Sequence, residues 1–386
     1  GSSPTMVFTD ISGNSRHATQ TAGTLTSGTA TNGQARVTGN ASATLTIASA
    51  AITGWPLTVI TVAKRAASAT VGFFGASGTD AFNKYWYGFE STNRFAIYNT
   101  AGTLITDTST NDQYAAYMHR GGYGCSIGAV NNLLKITGQA SSVTQSATSA
   151  IPSIGTTYRG LNCDWQETLV WNRQLSFAEI DEVNQYLNER YGFTLPLWSG
   201  YTQAPSVAIH GQSNASGRGD RGGSDANIPL ALRGEITGAL TWHGVSTLNN
   251  GLGTAFETIN VASAKNGYIG NHMFGDVYTQ PTNYFGLSLT MASDYLTANG
   301  GSIYLNQYTV GGTPLAYNAG SASWTEGDTM LQTGGNRLWS LAMKNYWASV
   351  AVHQAAGRTP DLKGIVWYQG EQDAANLSMA NAYEVN

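Results

Sequence analysis

Three short apolar runs in the second half of the chain each end in a small polar loop. The runs are residues 206–210, 302–310 and 362–368, and helix-like segments lie between them. Strands separated by helices in this way are typical of a parallel sheet in an α/β fold. Because open α/β sheets bind ligands at the carboxyl ends of their strands, the three loops are predicted to form a site at one edge of the sheet.

The first half of the chain has a different pattern. From residue 35 to about residue 171, short segments with alternating apolar and polar residues are separated by turn signals such as Asn32-Gly33 and Ser77-Gly78. This pattern predicts an antiparallel β-sandwich. The clearest of the predicted strands are 43–47, 57–62, 94–98 and 125–129.

A helix is predicted after the last strand of the sandwich. Ser176 and Glu179 have the spacing of a capping box, and Gly192 would end the helix. The residues of its predicted apolar stripe are Ile180, Val183 and Leu187. The two patterns together predict two domains, an all-β domain over residues 6–195 and an α/β domain over residues 203–386.

Composition excludes some partners. The formal net charge of −4 gives no electrostatic reason to expect nucleic acid or an anionic membrane as a partner. No run of 18 apolar residues is present, so no membrane span is predicted. Only 11% of the residues are charged, and Gly, Ser, Thr and Asn are abundant, which favours an extracellular or virion protein. Cys125 and Cys163 are compatible with one disulfide or with two buried thiols.

The most informative loop is Gly211-Gln212-Ser213-Asn214, which directly follows the first apolar run. It places a serine hydroxyl at the predicted edge of the sheet, beside small neighbours that let backbone amides approach a substrate. Asn214 adds a side-chain donor. Taken alone, the same four residues could equally form an ordinary polar turn.

Two further motifs follow in order, Gly311-Gly312-Thr313 and then Trp367-Tyr368-Gln369-Gly370-Glu371. With the serine loop, this set over residues 204–386 resembles the SGNH hydrolase superfamily and, within it, the sialate O-acetylesterase-like carbohydrate esterases. The resemblance implies a three-layer, flavodoxin-like α/β fold with a parallel sheet. It also implies a serine carboxylic-ester hydrolase that removes acetyl groups from a polysaccharide or glycan, and no cofactor or metal is expected.

The resemblance also implies roles for individual residues. Ser213 matches the nucleophile, and Ser213, Gly286 and Gln369 match the residues of the oxyanion hole. One departure is visible, because the family often has Gly-Pro-Glu where this chain has Gly286-Leu287-Ser288. The further candidates for the substrate loops are Gln212, Asn214, Gly311, Gly312, Thr313 and Glu371.

The family's general base is a histidine in an Asp-x-x-His motif, and this chain contains no such motif. A serine hydroxyl needs a base to accept its proton. The six histidines are His17, His119, His210, His243, His272 and His353. His210 is expected to pack within its strand rather than to act as the base. We expect the sequence to be truncated, with the missing block in a longer product of the gene.

The first half also carries a resemblance. Its opening, residues 10–19, and its ending, residues 170–176, look like those of the concanavalin A-like, LamG-type jelly-roll domains over about residues 6–192. Such domains often bind glycans, and Tyr85, Trp86 and Tyr87 are candidates for stacking on sugar rings. The alternative is that these aromatic residues alternate into the core of the sandwich. A calcium site occurs in some of these domains, but the chain shows no carboxylate cluster with ligand spacing.

Two functions remain open at this point. The first is a carbohydrate O-acetylesterase that forms part of a phage tail or head fibre. The alternative is a non-catalytic, receptor- or glycan-binding fibre protein that retains the hydrolase fold. The polar insertion at about residues 218–280 would shape the substrate pocket or contact neighbouring subunits. Candidate protein partners are further copies of the chain or virion neighbours.

Overall fold

The chain divides into two compact units, Gly1–Gly200 and Tyr201–Asn386. The structure is a computed structural model, and it describes residues 5–47, 56–65, 71–77, 85–90, 94–99, 102–108, 114–122, 125–138, 151–155, 160–211, 215, 219–220, 229–243, 255–260, 284–285, 287–309, 315, 338–375 and 377–382. None of the described helices is both long enough and apolar enough to cross a membrane.

The first unit consists mainly of β-strands. In chain order they are β1 (Val7–Phe8), β2 (Ala18–Ala22), β3 (Leu25–Thr29), β4 (Ala35–Gly39), β5 (Thr44–Ile47), β6 (Leu57–Arg65), β7 (Val71–Ser77), β8 (Tyr85–Glu90), β9 (Arg94–Asn99), β10 (Gly102–Thr108), β11 (Ala115–Gly122), β12 (Cys125–Val130), β13 (Leu133–Gly138), β14 (Ile151–Ile154) and β15 (Cys163–Trp171). The strands predicted at 43–47, 57–62, 94–98 and 125–129 are therefore confirmed.

These strands form two antiparallel sheets. One has the order β1-β2-β5-β14-β7-β8-β9-β10 and the other the order β13-β12-β11-β6-β15-β4-β3. Side chains from both sheets share one apolar core, so the predicted sandwich is confirmed. Four buried aromatic residues lie at its centre, with the Phe89 and Tyr117 rings 5.2 Å apart and nearly perpendicular. Phe73 and Phe95 complete this group.

Helix α1 (Phe177–Tyr191) follows the sandwich strands and begins as predicted. The Glu179 amide donates to the Ser176 hydroxyl, and the Ser176 amide donates to the Glu179 carboxylate at 2.8 Å. Gly192 ends the helix in the left-handed conformation with φ 67°.

The predicted apolar stripe of helix α1 needs one correction. Ile180 and Leu187 are buried, but Val183 is only half-buried, and two polar residues are buried instead. Asp181 accepts hydrogen bonds from the Trp198 and Ser199 amides at 2.7 and 2.8 Å. The other, Asn184, donates to the Pro196 carbonyl. Apolar periodicity could not predict this, because these side chains are buried to bind the backbone of the next segment.

The second unit alternates strands and helices. In chain order the elements are β16 (Thr202–Gly211), β17 (Gly219–Asp220), β18 (Glu235–His243), β19 (Ala255–Asn260), β20 (Tyr284–Phe285), α2 (Ser288–Asn299), β21 (Ile303–Thr309), α3 (Leu338–Ala355), β22 (Arg358–Tyr368), α4 (Glu371–Ala374) and α5 (Leu377–Ala382). Short 3-10 turns occur at Trp198–Gly200 in the first unit and at Leu230–Leu232 in the second.

Five of these strands form one sheet with the order β19-β18-β21-β16-β22. The three strands predicted from the apolar runs, β16, β21 and β22, pair in parallel and share this sheet, which confirms their prediction. The sheet is mixed rather than wholly parallel, because β19 is antiparallel to β18. Both strands lie in the segment predicted to be a polar insertion. An antiparallel neighbour needs no crossover helix, so β19 follows β18 directly at the edge of the sheet.

The two long helices cover opposite faces of this sheet. Val207, Ile209 and Leu305 pack in one apolar cluster with Leu289 of α2. The residues that alternate with these along β16 and β21 point to the opposite face, which α3 covers. There Asn306 donates to the Ser349 hydroxyl at 2.9 Å. Because successive side chains of a strand point to opposite faces, α2 and α3 cover the two faces of the sheet, which is consistent with the predicted α/β domain.

Candidate active site

The carboxyl ends of three strands lie side by side in the second unit. Gly211, the last residue of β16, is the register partner of Thr309 at the end of β21 and of Tyr368 at the end of β22. Neighbouring strands are about 5 Å apart. The three loops that carry the sequence motifs therefore leave the sheet at the same level of the same edge.

Most of the predicted site residues lie outside the described part of the chain. They are Gln212, Ser213, Asn214, Gly286, Gly311, Gly312 and Thr313. Gln369 is described and half-buried, and Glu371 is the first residue of α4, although its side chain is not among those described. The site is therefore described through the residues that flank these loops.

Gly211 leads into the serine loop with a backbone that only glycine accommodates. Its φ is 136°, and a Cβ added there would lie 1.9 Å from the Tyr368 carbonyl oxygen. Any side chain at this position would push β16 and β22 apart. The first glycine of the Gly-Gln-Ser-Asn motif thus has a physical reason, namely the close approach of two strands at the edge of the sheet.

Gln307 fixes the chain just beyond the serine loop. Its side chain is buried in β21, and its Nε2 donates to the Ala215 carbonyl at 2.9 Å. Ala215 is two residues after Ser213 and is itself buried. Gln307 was not predicted as a site residue, and its only signal in the sequence is a polar residue inside an apolar strand.

Asp373 connects two of the loops. Its side chain is 1% exposed. Its Oδ2 accepts one hydrogen bond from Gln369 Nε2 and another from the Leu315 amide, both at 2.8 Å. Leu315 comes two residues after Thr313, so this carboxylate bonds both to the oxyanion candidate Gln369 and to the end of the Gly-Gly-Thr loop. The sequence prediction did not include Asp373.

A small two-stranded sheet pairs a strand that follows the serine loop in the sequence with the strand that directly precedes Gly286. Gly219 of β17 pairs with Phe285 of β20, and Asp220 pairs with Tyr284. Phe285 directly precedes Gly286, and helix α2 begins at Ser288, two residues after Gly286. The N-terminal end of this helix, which carries a partial positive charge, therefore lies next to Gly286 in the chain.

His210 is packed inside the unit, as predicted. The side chain is fully buried, its Nδ1 lies 3.3 Å from the Tyr308 carbonyl oxygen, and its ring meets Trp339 edge-on. Burial lowers the pKa of His210 to about 4. His119 and His353 are also buried, and burial lowers the pKa of each to about 3. The side chains of His243 and His272 lie outside the described residues.

In the first unit, the aromatic candidates for glycan stacking lie on strand β8. The side chains of Tyr85, Trp86 and Tyr87 are outside the described set, whereas Phe89 of the same strand is fully buried in the core. Across the described parts of both units, no group of three or more His, Cys, Asp or Glu side chains could hold a metal ion. Cys163 is a free, buried thiol, and burial raises its pKa.

The opening motif of the first unit forms a closed turn. The Asp10 carboxylate accepts hydrogen bonds from the Ser12 and Arg16 amides at 2.8 and 2.9 Å, and the Asp10 amide donates to Nδ1 of His17. The hydrogen bonds from Ser12 and Arg16 hold the pKa of Asp10 at about 2. The hydrogen bonds within this turn therefore explain why Asp10, Ser12, Arg16 and His17 occur together.

Part of the chain is similar to a known family. Residues 207–386 match the family model of the carbohydrate esterases described as sialic acid-specific acetylesterase. The matched range contains all the residues described above at the ends of β16, β21 and β22. No curated protein matches the chain.

Several solved structures are similar to parts of the chain. Domain 4 of the GH43 extracellular arabinanase AbnA from Geobacillus stearothermophilus, in complex with arabinotriose, is 13% identical, with a TM-score of 0.36 over 47% of this chain and 88% of that chain. A protein from Arabidopsis thaliana is 18% identical, with a TM-score of 0.30 over 46% and 62% of the two chains.

The Trypanosoma rangeli sialidase is 13% identical, with a TM-score of 0.37 over 50% and 32% of the two chains. The matched part thus spans less than two thirds of the Arabidopsis protein and about a third of the sialidase. These likenesses are too distant to assign a ligand to this chain.

Proposed function

We propose that the second unit is a carbohydrate O-acetylesterase with an SGNH-type site and that Ser213 is its nucleophile. The observation that carries the proposal is the common register of Gly211, Thr309 and Tyr368 at the ends of three parallel strands. Ser213 and Gly311 are each two residues beyond such an end, and Gln369 is one residue beyond. Because a residue extends the chain by at most about 3.6 Å, all three motifs start within reach of one acyl group.

The chemistry follows from the proposed roles. The Ser213 Oγ attacks the acetyl carbonyl carbon, and the carbonyl oxygen becomes an oxyanion. The amides of Ser213 and Gly286 and the Gln369 side chain donate hydrogen bonds to it at about 3 Å. Collapse of the intermediate expels the sugar hydroxyl and leaves an acetyl-serine, which water then hydrolyses to acetate. A carboxamide NH₂ carries two hydrogens, so the bond from Gln369 to Asp373 does not prevent a second bond to the oxyanion.

The base that accepts the Ser213 proton would be a histidine oriented by a carboxylate. Within the described residues, His210, His119 and His353 are buried with lowered pKa values, so none of them can serve as an accessible base for a substrate. Loss of one member of a catalytic triad lowers the rate by about 10⁴-fold or more. A form of the protein without an accessible histidine base should therefore release acetate very slowly.

Acetate release from an acetylated polysaccharide tests this proposal in a form of the protein that carries the base. That form should turn over, and Ser213→Ala should lower its rate by about 10⁴-fold or more. Ser216→Ala, three residues further along the sequence, is the matched control and should change the rate little. If Ser213→Ala retained the activity, the assignment of the nucleophile would be wrong. An inactive protein in that form would favour the alternative of a glycan-binding fibre protein.

We further propose that the first unit, as a LamG-type jelly roll, binds the polysaccharide on which the esterase acts, in an extracellular or virion setting. Its low charge and the aromatic run Tyr85-Trp86-Tyr87 on β8 support this role. Trp86→Ala should weaken binding of the chain to immobilised polysaccharide by about tenfold and leave hydrolysis of a small acetyl ester unchanged. Unchanged binding would assign these residues to the sandwich core instead.

A further inference from the structure

We infer that Asp373 is a positioning residue, which orients the Gln369 side chain for the oxyanion and also holds the Leu315 amide. This inference rests on the proposed function, in which Gln369 donates to the oxyanion. Asp373 itself is not expected to touch the substrate, because its side chain is 1% exposed.

The contacts of Asp373 carry this inference. One oxygen, Oδ2, accepts both from Gln369 Nε2 and from the Leu315 amide at 2.8 Å. The two donors come from different loops, one after β22 and one after the Gly311–Thr313 segment. A single buried acceptor therefore fixes the orientation of a flexible side chain and the position of a backbone amide at the same time.

The charge of the acceptor strengthens this arrangement. Hydrogen bonds to a carboxylate are roughly twice as strong as those between neutral groups. An ionised carboxylate only accepts hydrogen bonds, so the nitrogen of the Gln369 amide turns toward Asp373. The second hydrogen of this nitrogen is then the donor that the proposed oxyanion site requires.

Helix α4 holds the backbone of Asp373 in a fixed position. The helix begins directly after Gly370, whose φ of 132° turns the chain sharply out of β22. The Ala374 amide donates to the Gly370 carbonyl at 2.9 Å, which closes the turn that contains Asp373. The acceptor and its partner Gln369 are thus only four residues apart in a tightly closed segment.

The first test measures the contact without reference to activity. Hydrogen exchange at the Leu315 amide should be faster by tenfold or more in Asp373→Ala than in the unaltered 386-residue chain, because the amide loses a buried acceptor. Asp373→Asn, which keeps the size of the side chain, should show a smaller increase. Asp361→Asn is the control, since Asp361 pairs with Lys363 at the surface of β22. Unchanged exchange in Asp373→Ala would overturn the inference.

The second test measures the role in catalysis, in the protein form that releases acetate. Asp373→Ala should lower kcat by about 10- to 100-fold with KM within about twofold, because an oxyanion donor acts in the transition state. The double variant Asp373→Ala/Gln369→Ala should be no slower than Gln369→Ala alone. Additive losses would show that Asp373 acts independently of Gln369 and would overturn the positioning role.

The two proposals fail in different ways. Full activity in Ser213→Ala would reject the esterase site and, with it, the positioning role in catalysis, whatever the exchange at Leu315 shows. Activity that depends on Ser213 but not on Asp373 would reject only the positioning role. Melting temperatures of all variants must stay within a few degrees of the unaltered protein, and Asp373→Asn replaces Asp373→Ala in both tests if the alanine variant does not fold.

Discussion

The interiors of the two units are built in different ways. In the sandwich, the centre of the core is a group of aromatic rings, including Phe89 and Tyr117, that pack against one another between the sheets. In the α/β unit, the face of the sheet under α3 also carries buried polar side chains that form hydrogen bonds. There Trp242 Nε1 donates to Asn345 Oδ1 at 2.8 Å. The sandwich is held mainly by the area it buries, whereas the α/β unit adds directional bonds that fix each strand and the loops at its end.

The same contrast appears at two crowded glycines. Gly88 in the sandwich and Gly211 in the α/β unit each lie where an added Cβ would be 1.9 Å from a carbonyl oxygen of the neighbouring strand. Only Gly211 also has a positive φ, of 136°, and only Gly211 leads into a loop of the proposed site. The sandwich uses close approach for packing, and the α/β unit uses it to shape a functional edge.

Gly211→Ala should produce the largest loss of stability, about 3 kcal/mol or more in the α/β unit, because strain and a backbone clash act together. Hydrogen exchange of peptides from each unit measures this loss separately. Gly364→Ala on the adjacent strand is the control, since nothing lies within 4 Å of its added Cβ, and it should stay within about 0.5 kcal/mol. Equal losses in the two variants would contradict this account.

Gly88→Ala extends the comparison to the other unit. Its added Cβ would meet the Val71 carbonyl oxygen, so the free energy of unfolding of the sandwich should fall, while exchange in peptides of residues 201–386 stays unchanged. A loss that spread equally through both units would show that they unfold together.

Acid should destabilise the α/β unit more steeply than the sandwich. His210 and His353 have pKa values lowered to about 4 and 3, mainly by burial, and among the described histidines of the sandwich His119 has a pKa lowered to about 3. Below about pH 6.5 the unfolded chain binds protons that the folded chain excludes, so the free energy of unfolding falls as the pH falls. Above pH 6.5 these residues contribute nothing to the pH dependence.

The expected slope between pH 6.5 and 4.5 is at most about 1.4 kcal/mol per pH unit for each buried histidine. Denaturant titrations followed by hydrogen exchange in each unit measure it. His353→Gln should remove about half of the slope of the α/β unit and leave that of the sandwich unchanged. The same slope in both units, or no change in His353→Gln, would contradict the assignment.

The smallest effect is expected at the start of helix α1. Ser176→Ala removes one half of the capping box and should lower the free energy of unfolding of the sandwich by about 1 kcal/mol. Glu182→Ala, at an exposed position of the same helix, should change it by less than about 0.5 kcal/mol. A loss of several kcal/mol in Ser176→Ala would mean that the cap supports more than the helix.

The sequence predicted the features that depend on local patterns. The apolar runs located β16, β21 and β22, and the capping box located the start of α1. It did not predict β18, because Gly238, with a φ of 89°, interrupts the alternation of a strand that lies beside β21. Such a strand is recognised only when its neighbour is known.

The site shows the same limit. The motifs indicated Gln369 from its place in a family pattern, but not Asp373 or Gln307, whose roles arise from contacts across the sheet edge. Gln307 contacts Ala215 over 92 positions of the chain, and Asp373 contacts Leu315 over 58. Residues that hold loops in place are defined by distant partners, so a local motif cannot identify them.

The most direct test of the central claim is covalent labelling of the nucleophile. A p-nitrophenyl phosphonate ester forms a bond between phosphorus and the serine Oγ and releases nitrophenolate, so the adduct is located by mass spectrometry of the digested protein. In the form that releases acetate, we expect one adduct per chain on the peptide that contains Ser213. It should be lost in Ser213→Ala and kept in Ser216→Ala. An adduct on another residue, or one that persists in Ser213→Ala, would contradict the assignment of Ser213 as the nucleophile.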